Sequence, residues 1–182
     1  KTVGAPVQVV WTRDDDLRHD FYRPATYNVL RAGLDADGMP VAWTHRIVAP
    51  GIATYLGYVE KDKTDWSSIE GAQNLPYAIP NLEVDLHTHD PGIPLGWWRS
   101  VASSQNAYVT ECFLDEVAAA AGRDPYELRR ALLAKQPRHL AVLDAAARAA
   151  GWGTPPPAGV HRGIAVHACF ESYVAQVAEV EV

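Results

Sequence analysis

Helical periodicity in this chain is confined to one block, residues 104–150, and strand-like patterns lie on both sides of that block. Inside the block, apolar residues recur every three to four positions, whereas the flanking parts alternate apolar and polar residues or carry β-branched runs. Helices that are segregated from strands along a chain are typical of an α+β fold. We therefore predict a mixed, largely antiparallel sheet with about three helices grouped in residues 104–150.

Three helices are predicted within the block. The first covers residues 105–121, where an apolar stripe is expected to face the core, and Gly122 ends it. Asp124 is the expected N-cap of the second helix, with Pro125 at its first position. Pro137 begins the third helix and Gly151 ends it. The expected stripe of the first helix consists of Val109, Phe113 and Val117, with Tyr108, Cys112 and Ala120 beside them.

Strands are predicted before and after the helices. Residues 27–34 and 41–48 are rich in β-branched and aromatic side chains, and the Asp37-Gly38 turn between them predicts an antiparallel hairpin. Residues 50–81 have no steady hydrophobic period and are interpreted as a long irregular connection. Further strands are expected at residues 7–12, 82–89 and 163–182.

Composition excludes several classes of protein. The 182 residues are 48% hydrophobic and 21% charged, which is typical of a globular chain and not of a disordered one. A net charge of −6 disfavours nucleic acid as the partner, because phosphate contacts need a basic face. No apolar run approaches the roughly 20 residues of a membrane-spanning helix. Nucleotide-binding, zincin and serine-hydrolase motifs are absent, and two cysteines do not form a disulfide framework.

Four small clusters each have a functional interpretation and a plainer structural one. His87 and His89 with Asp85 offer possible metal ligands on one strand face, or simply a polar face. The run at residues 14–16 is either a hard-cation cluster or an acidic helix start. Glu111 and Asp115 form either an acid–base pair or a solvated helix face. The two cysteines, Cys112 and Cys169, are either nucleophiles or small buried hydrophobic residues.

The loop at residues 96–105 carries the strongest binding signal. It places Trp98 and Arg99 before a helix start, where backbone N–H groups and a guanidinium suit an anionic group such as a phosphate. Gln105 offers both a donor and an acceptor to a polar ligand. In the competing interpretation, Arg99 pairs with an internal carboxylate and the tryptophans fill the core.

The run from Trp97 to Arg130 resembles the molybdopterin-binding large subunit of the xanthine dehydrogenase and aldehyde oxidase family, most of all its branch of isoquinoline 1-oxidoreductase β-subunits, whose members are often labelled aldehyde dehydrogenases. Trp98 and Arg99 stand at that family's aromatic-Arg pair, Ser100 and Ala102 replace two of its glycines, and Gln105 stands at its glutamine. Glu111 and residues 115–118 and 122–125 continue the match, and further matching phrases lie at residues 10–13, 19–24, 151–153 and 172–180.

The resemblance implies an oxidoreductase that contains a molybdenum–pyranopterin (molybdopterin) cofactor and oxidises an aldehyde or hydroxylates an N-heteroaromatic ring. It implies cofactor-binding roles for Trp98, Arg99, Ser100 and Gln105. It also implies a small-molecule substrate and an iron–sulfur small subunit or a cytochrome as redox partner. The family's Gly-Val-Gly-Glu phrase, which holds the catalytic base, has no counterpart here. We therefore expect no catalytic residue and no metal ligand in these residues.

The organisation of the chain is expected to follow from that resemblance. Residues 1–182 are interpreted as one partial unit of a larger subunit, inactive alone, with a β-rich part at 1–95, the cofactor loop and helices at 96–152, and a second β part at 153–182. Cytoplasmic and periplasmic locations both remain open. The alternative is a non-catalytic interaction or scaffold module, in which residues 50–81 dock a partner subunit.

Overall fold

A computed structural model describes residues 2–182, which form six helices and five strands. The described elements, in chain order, are α1 (Arg13–His19), β1 (Tyr27–Leu34), β2 (Pro40–Ala49), α2 (Ile52–Tyr55), α3 (Trp66–Ile69), β3 (Asn81–Thr88), α4 (Ser103–Ala120), α5 (Pro125–Leu132), α6 (Pro137–Ala149), β4 (Val160–Cys169) and β5 (Ser172–Glu181). This confirms the predicted α+β class and the three helices grouped in residues 104–150. None of the described helices is long and apolar enough to span a membrane.

The first sheet has the order β1-β2-β3. β1 and β2 form the predicted antiparallel hairpin, with Tyr27 opposite Val48. β3 runs parallel to β2, from the Ala42–Asn81 pair to the Ala49–Thr88 pair. A parallel neighbour requires a crossover connection, and residues 50–80 supply it with the short helices α2 and α3. The long irregular connection expected at residues 50–81 is therefore an ordered crossover between two strands.

The second sheet is the hairpin β4–β5, so the strands divide between two sheets. Helices α4, α5 and α6 share one core with both sheets. That core joins Trp43 of the first sheet to Leu114 of α4, Leu143 of α6 and Ile164 of the second sheet. Each of these side chains is almost completely buried, and this burial is the main source of the fold's stability.

The strand predicted at residues 7–12 is wrong. These residues form no strand and pair with none in the described chain, and Val9 and Trp11 are exposed. At the end of this segment, Thr12 forms a capping box with Asp15 that begins α1. The acidic run at residues 14–16 lies in the first turn of α1, where the helix dipole favours negative charge.

The apolar stripe expected on α4 is rotated from the face that the structure buries. Val109 and Phe113 are half-buried, while Tyr108 and Cys112 are exposed, so the interpretation of Cys112 as a buried residue is wrong. The buried face instead includes Asn106 and other residues of mixed polarity. That face consists of Ser103, Asn106, Thr110, Glu111, Leu114, Val117 and Ala118.

Polar groups are tolerated on that face because neighbouring elements satisfy them. The amide nitrogen of Asn106 donates to the carbonyl oxygens of Ser68 and Glu70, at 3.0 and 2.9 Å, and so fastens the crossover to α4. Such contacts depend on residues distant in sequence, so helical periodicity cannot indicate them.

Glu111 is not on a solvated face, and it does not form an acid–base pair with Asp115. Its Oε2 accepts from Nε of Arg129 at 2.9 Å, and Arg129 is completely buried. The hydroxyl of Tyr77 donates to Glu111 Oε1 at 2.6 Å, and the backbone N–H of Val166 donates to Oε2 at 3.0 Å. Glu111 therefore links α4, α5, the crossover and β4 in one buried network. Burial and the Glu111 carboxylate hold the pKa of Tyr77 well above its usual value.

Candidate functional site

The candidate site is the loop at residues 96–102 together with the first turn of α4. Ala102 is the N-cap of this 18-residue helix and supplies no side-chain cap to its first N–H groups. The N–H of Ser104 donates to the Val101 carbonyl at 3.4 Å, whereas those of Ser103 and Gln105 have no acceptor in the described chain. The helix therefore begins with two uncapped donors and the positive end of its dipole at the loop. Trp98, Arg99 and Ser100 lie on the loop and Gln105 lies one turn along, so the structure places all four residues around this helix start.

Two loop residues adopt the left-handed backbone conformation that favours glycine. Ser100 has φ 58° and Val101 has φ 44°. Ser100 stands at a position where the resembling family has glycine, which agrees with this backbone geometry. A β-branched residue such as Val101 is seldom found in this conformation. Each non-glycine residue held in it lowers the stability of the fold by on the order of 1–3 kcal/mol. The surrounding contacts must therefore hold the loop in place.

Arg23 supplies two of those contacts. Its guanidinium donates to the carbonyl oxygen of Val101 at 3.1 Å and to that of Arg99 at 3.2 Å. It also lies 5.9 Å from the ring centroid of Trp98. Sequence reasoning did not single out Arg23, although it belongs to the phrase at residues 19–24 that carries part of the resemblance. The contacts join residues 76 and 78 positions apart, so no local pattern indicates them.

The segment around Arg23 runs beside the loop. The N–H of Tyr22 donates to the Pro94 carbonyl at 3.0 Å, and the N–H of Gly96 donates to the Tyr22 carbonyl at 3.2 Å. The indole N–H of Trp98 donates to the Phe21 carbonyl at 3.1 Å. A side chain at Gly96 would lie 2.5 Å from Cβ of Phe21, so only glycine permits this approach. We call residues 21–23 the staple segment.

Two serine hydroxyls complete the inner side of the loop. Ser100 Oγ donates to the Arg99 carbonyl oxygen at 2.7 Å and lies 2.6 Å from Ser104 Oγ. Ser104 Oγ lies 3.1 Å from that carbonyl oxygen. Because each hydroxyl carries one hydrogen, Ser104 donates to Ser100 Oγ while Ser100 donates to the carbonyl. The Ser100 hydroxyl and the guanidinium of Arg23 therefore both donate to the Arg99 carbonyl oxygen. These contacts hold the backbone at Arg99 in place.

The side chain of Arg99 is exposed and forms no hydrogen bond or ion pair with residues 2–182. Trp98 is half exposed, and Trp97 is 43% exposed. The interpretation in which Arg99 pairs internally and the tryptophans fill the core is therefore wrong. A fixed backbone that presents an unpaired guanidinium beside an aromatic ring is suited to bind an anionic or planar group.

Trp97 packs against the crossover. Its ring stacks on Tyr58, with centroids 5.5 Å apart and planes inclined by 20°, and on Trp66, with centroids 6.1 Å apart and planes inclined by 24°. These contacts hold the crossover at residues 50–80 against the loop. The three rings, which we call the aromatic stack, are each at least 43% exposed.

Two buried acceptors beside the helix start lack a donor. Oε1 of Gln105 and Oδ1 of Asn106 are shielded from solvent, and no described group donates a hydrogen bond to them. An unsatisfied buried acceptor costs about 1–3 kcal/mol, so a ligand that brings N–H or O–H donors is favoured at this position. The helix start thus offers uncapped N–H groups, an unpaired guanidinium and unfilled acceptors.

The other clusters that the sequence offered as functional candidates do not form a comparable site. Asp85 forms an ion pair with Arg46, with Oδ1 2.8 Å from Nε. Within residues 2–182, no three His, Cys, Asp or Glu side chains are grouped as metal ligands would be. Cys169 lies at the end of β4 and is half-buried. Cys112 is an exposed residue, but partial burial of its thiol raises the thiol pKa, and the nearby carboxylates of Asp115 and Glu111 raise it further.

Comparison with known proteins identifies the family. Residues 1–133 match the molybdopterin cofactor-binding domain family. The chain belongs to this family. The matched stretch contains the staple segment, the loop and all of α4, and it confirms the resemblance that the loop residues indicated.

Individual relatives agree with this assignment. The chain is 27% identical over 190 residues to the beta subunit of isoquinoline 1-oxidoreductase from Brevundimonas diminuta, covering 99% of this chain and 24% of that one. It is 29% identical over 158 residues to a nicotinate dehydrogenase subunit from Pseudomonas putida, covering 84% and 13%. The chain therefore spans a quarter or less of the length of these relatives.

A solved structure shows the same fold. Quinoline 2-oxidoreductase from Pseudomonas putida 86 superposes with a TM-score of 0.65 over 91% of this chain and 24% of that one. Sequence identity in the superposition is 16%, so this comparison supports the fold alone.

The residues at the helix start fit the cofactor that the family binds. A pyranopterin carries ring N–H and amino donors, which the half-buried Gln105 can accept through its orphaned Oε1. It also carries a phosphate, which suits uncapped helix N–H groups and the guanidinium of Arg99. Trp98 offers a half-exposed ring face to a planar group.

Proposed function

We propose that these residues are one portion of the large subunit of a molybdenum hydroxylase, which oxidises an aldehyde or hydroxylates an N-heteroaromatic ring. The observation that carries this proposal is the loop before α4. There an unpaired guanidinium, uncapped helix N–H groups and buried orphaned acceptors come together in a member of the molybdopterin-binding family.

The chain's own residues bind and orient the cofactor in this proposal. Arg99 and the first N–H groups of α4 hold the anionic end of the pterin, while Gln105 accepts a hydrogen bond from its ring. Trp98 covers one face of the planar group, and Ser100 fixes the loop backbone through its bond to the Arg99 carbonyl. The bound molybdenum centre supplies oxygen-transfer and two-electron chemistry.

The remaining parts of the enzyme lie outside these residues in this proposal. The chain holds no counterpart of the family's catalytic glutamate phrase, so we expect the 182 residues alone to show no turnover. An iron–sulfur small subunit or a cytochrome accepts the electrons, and the substrate is a small molecule. Stoichiometric molybdenum or measurable turnover in the purified 182-residue chain would contradict this part of the proposal.

Substitution of Arg99 in the complete gene product tests the proposed role of the loop. We expect Arg99→Ala to lower molybdenum and pterin content about tenfold at limiting cofactor, which corresponds to about 1.4 kcal/mol of binding free energy. The melting temperature should not change, because the side chain is exposed and unpaired. Arg31→Ala is the matched control, since Arg31 is an exposed arginine on β1 whose side chain forms no hydrogen bond with residues 2–182. Unchanged molybdenum content in Arg99→Ala would overturn the assigned role.

The aromatic stack favours a second candidate, a non-catalytic module that docks a partner subunit. Exposed aromatic side chains in a cluster are typical of protein interfaces. The two candidates differ in what the loop does. If the complete gene product binds no molybdenum, and Trp66→Ala abolishes its association with a partner subunit while Arg99→Ala does not, the docking function replaces the enzymatic one.

A further inference from the structure

A cleft lies where β2 and β3 end, at the start of the crossover. Because the two strands are parallel, their carboxyl ends meet at the same edge of the sheet, at Ala49 and Thr88. Crevices at the carboxyl ends of parallel strands are frequent ligand sites in α/β sheets. The cleft has a volume of about 380 Å³, which lies in the range of small-molecule sites. It shares no lining residue with the set Trp98, Arg99, Ser100 and Gln105.

The floor of the cleft is apolar and its rim is polar. Pro50, Gly51 and Leu95 are buried and form the floor. The rim is formed by side chains that carry hydroxyl, ammonium, imidazole and carboxylate groups. These are Thr54, Tyr55, Lys61, Thr88, His89 and Asp90. An apolar floor with a few polar groups above it is the common composition of a small-ligand site.

Lys61 supplies the positive charge on the rim. It is exposed and belongs to none of the ion pairs within residues 2–182, whereas Lys63, two positions on, lies 3.5 Å from Asp62. The imidazole of His89 also has no hydrogen-bond partner in the described chain, although its backbone N–H donates to the Ala49 carbonyl at 3.1 Å. The rim thus carries two nitrogen groups that are free to bind an acceptor.

The nearby carboxylates do not neutralise these groups. Asp65 is completely buried below the cleft, and its oxygens accept from the N–H groups of Thr54 and Ser67, at 2.7 and 2.9 Å. Asp90 is the acidic residue on the rim, and its Oδ1 accepts from the Gly92 N–H at 2.8 Å. Asp90 therefore weakens anion binding at the rim without forming an ion pair with Lys61.

We propose that this cleft binds a small organic anion, with its oxyanion held by Lys61 and His89 and its apolar body packed on Pro50, Leu95 and the Tyr55 ring. An ammonium and an imidazole are both suited to a carboxylate or phosphate oxygen. The apolar floor adds affinity for a ligand that carries a hydrophobic body, at about 25 cal/mol for each Å² that it covers. This proposal is independent of the cofactor role of the loop.

Titrations with three probes at constant ionic strength test the site. Benzoate, acetate and inorganic phosphate are added to the 182-residue chain, and binding is followed by calorimetry and by the backbone amide NMR signals of residues 50–55 and 88–90. We expect benzoate to bind at least about threefold more tightly than acetate, because only benzoate covers the floor. Phosphate tests the oxyanion without an apolar body, and we expect it to bind no more tightly than acetate.

Three substitutions assign the contacts. Lys61→Ala should weaken benzoate binding at least about fivefold, and His89→Gln should weaken it about twofold, since the ammonium carries the full charge. Asp90→Asn keeps the Gly92 contact but removes the opposing charge, so it should strengthen binding about twofold. Lys63→Ala is the control that lowers net charge equally outside the cleft, and it should leave the affinity unchanged.

Two results would overturn the proposal. Equal weakening by Lys61→Ala and Lys63→Ala would show that only the overall charge attracts the anion. Benzoate binding no tighter than that of acetate or phosphate would show that the floor is not used.

Discussion

Arg23 donates a hydrogen bond to the carbonyl oxygen of Val101, a residue 78 positions further along the chain and held in a left-handed conformation. The same guanidinium reaches the Arg99 carbonyl. One side chain in the staple segment therefore holds the loop in a shape that its own sequence does not favour. In this arrangement Arg23 is a positioning residue: it acts on the candidate site through the backbone of Arg99 and Val101.

Removal of Arg23 should release the loop while leaving the rest of the fold intact. We expect Arg23→Ala to increase amide hydrogen exchange at residues 99–104 about tenfold, which corresponds to about 1.4 kcal/mol of local stability. Arg23→Lys should restore only part of the protection, because one ammonium cannot reach two carbonyls with the fork geometry of a guanidinium. Increased exchange throughout α4 and α6 would instead indicate global destabilisation and contradict the positioning role.

The buried network at Glu111 should dominate the effect of mutations in α4. Glu111→Ala leaves Arg129 as a buried charge that has lost its main partner, and it also removes the acceptor of Tyr77 and Val166. We expect a loss of about 3–5 kcal/mol in the free energy of unfolding, measured in urea. Glu116→Ala changes an exposed glutamate on the same helix and should alter stability by less than about 0.5 kcal/mol. Equal effects of the two substitutions would contradict the network's role.

Local sequence signals predicted much of this fold. The bounds of β1 and the start of α5 follow from a turn at Asp37-Gly38 and a cap at Asp124, and the structure has both. These features need only neighbouring residues. Residues 7–12 failed as a strand because β-propensity indicates a strand only where a partner strand exists, and the described chain provides none.

In the candidate site too, the sequence predicted the residues with a local signal and missed those that depend on distant contacts. The motif at Trp98 and Arg99 was visible in the sequence, because its spacing lies within one loop. The contribution of Arg23 and the burial of Glu111 were not visible, since both depend on tertiary contacts between residues far apart in the chain. Helical periodicity counts polar residues as exposed, and it therefore misassigned the face of α4 that a buried ion pair occupies.

Acid should destabilise the protein through His45. Burial lowers the pKa of this histidine to about 4, although Asp85 acts in the opposite direction, and its Nε2 lies 2.8 Å from Asn28 Oδ1. The unfolded chain, with a histidine pKa of about 6.5, binds the proton more readily, so stability is fully present above about pH 6.5 and falls as the pH drops towards 4. The loss should reach about 3 kcal/mol.

Urea unfolding between pH 4 and pH 7 measures that loss. His45→Gln should flatten the dependence, but not abolish it, because burial also lowers the pKa values of His139 and His167. His161→Gln replaces an exposed histidine on β4 and should retain the full dependence. A pH dependence that is identical in His45→Gln and in the unmodified chain would show that His45 does not cause it.

The crossover should be sensitive to the size of residue 51. A methyl group on Gly51 would lie 2.0 Å from Oδ2 of Asp65, which is buried and caps α3. The backbone of Gly51 has φ −91°, so the expected effect is steric and not conformational. We expect Gly51→Ala to lower the free energy of unfolding by about 2–3 kcal/mol, through the loss of the Asp65 contacts. Gly153→Ala, which meets open space, should change it by less than about 0.5 kcal/mol.

The hairpin β4–β5 offers a place to stabilise the fold. Its two turn residues, Phe170 and Glu171, both have positive φ, at 48° and 62°. Two-residue hairpin turns of this kind favour Asn-Gly, because other side chains crowd the backbone in the left-handed region. The Glu171 carbonyl accepts a bond from Arg138, which a change of side chain preserves. We therefore expect the double substitution Phe170→Asn and Glu171→Gly to raise the free energy of unfolding by about 1–2 kcal/mol.

Phe170→Ala separates backbone strain from the exposure of the aromatic ring. This variant removes a side chain that is 70% exposed but keeps a residue that disfavours positive φ. It should leave the free energy of unfolding nearly unchanged in urea. If Phe170→Ala stabilises the protein as much as the Asn-Gly pair does, the benefit comes from removing the exposed ring, and the turn geometry is not its cause.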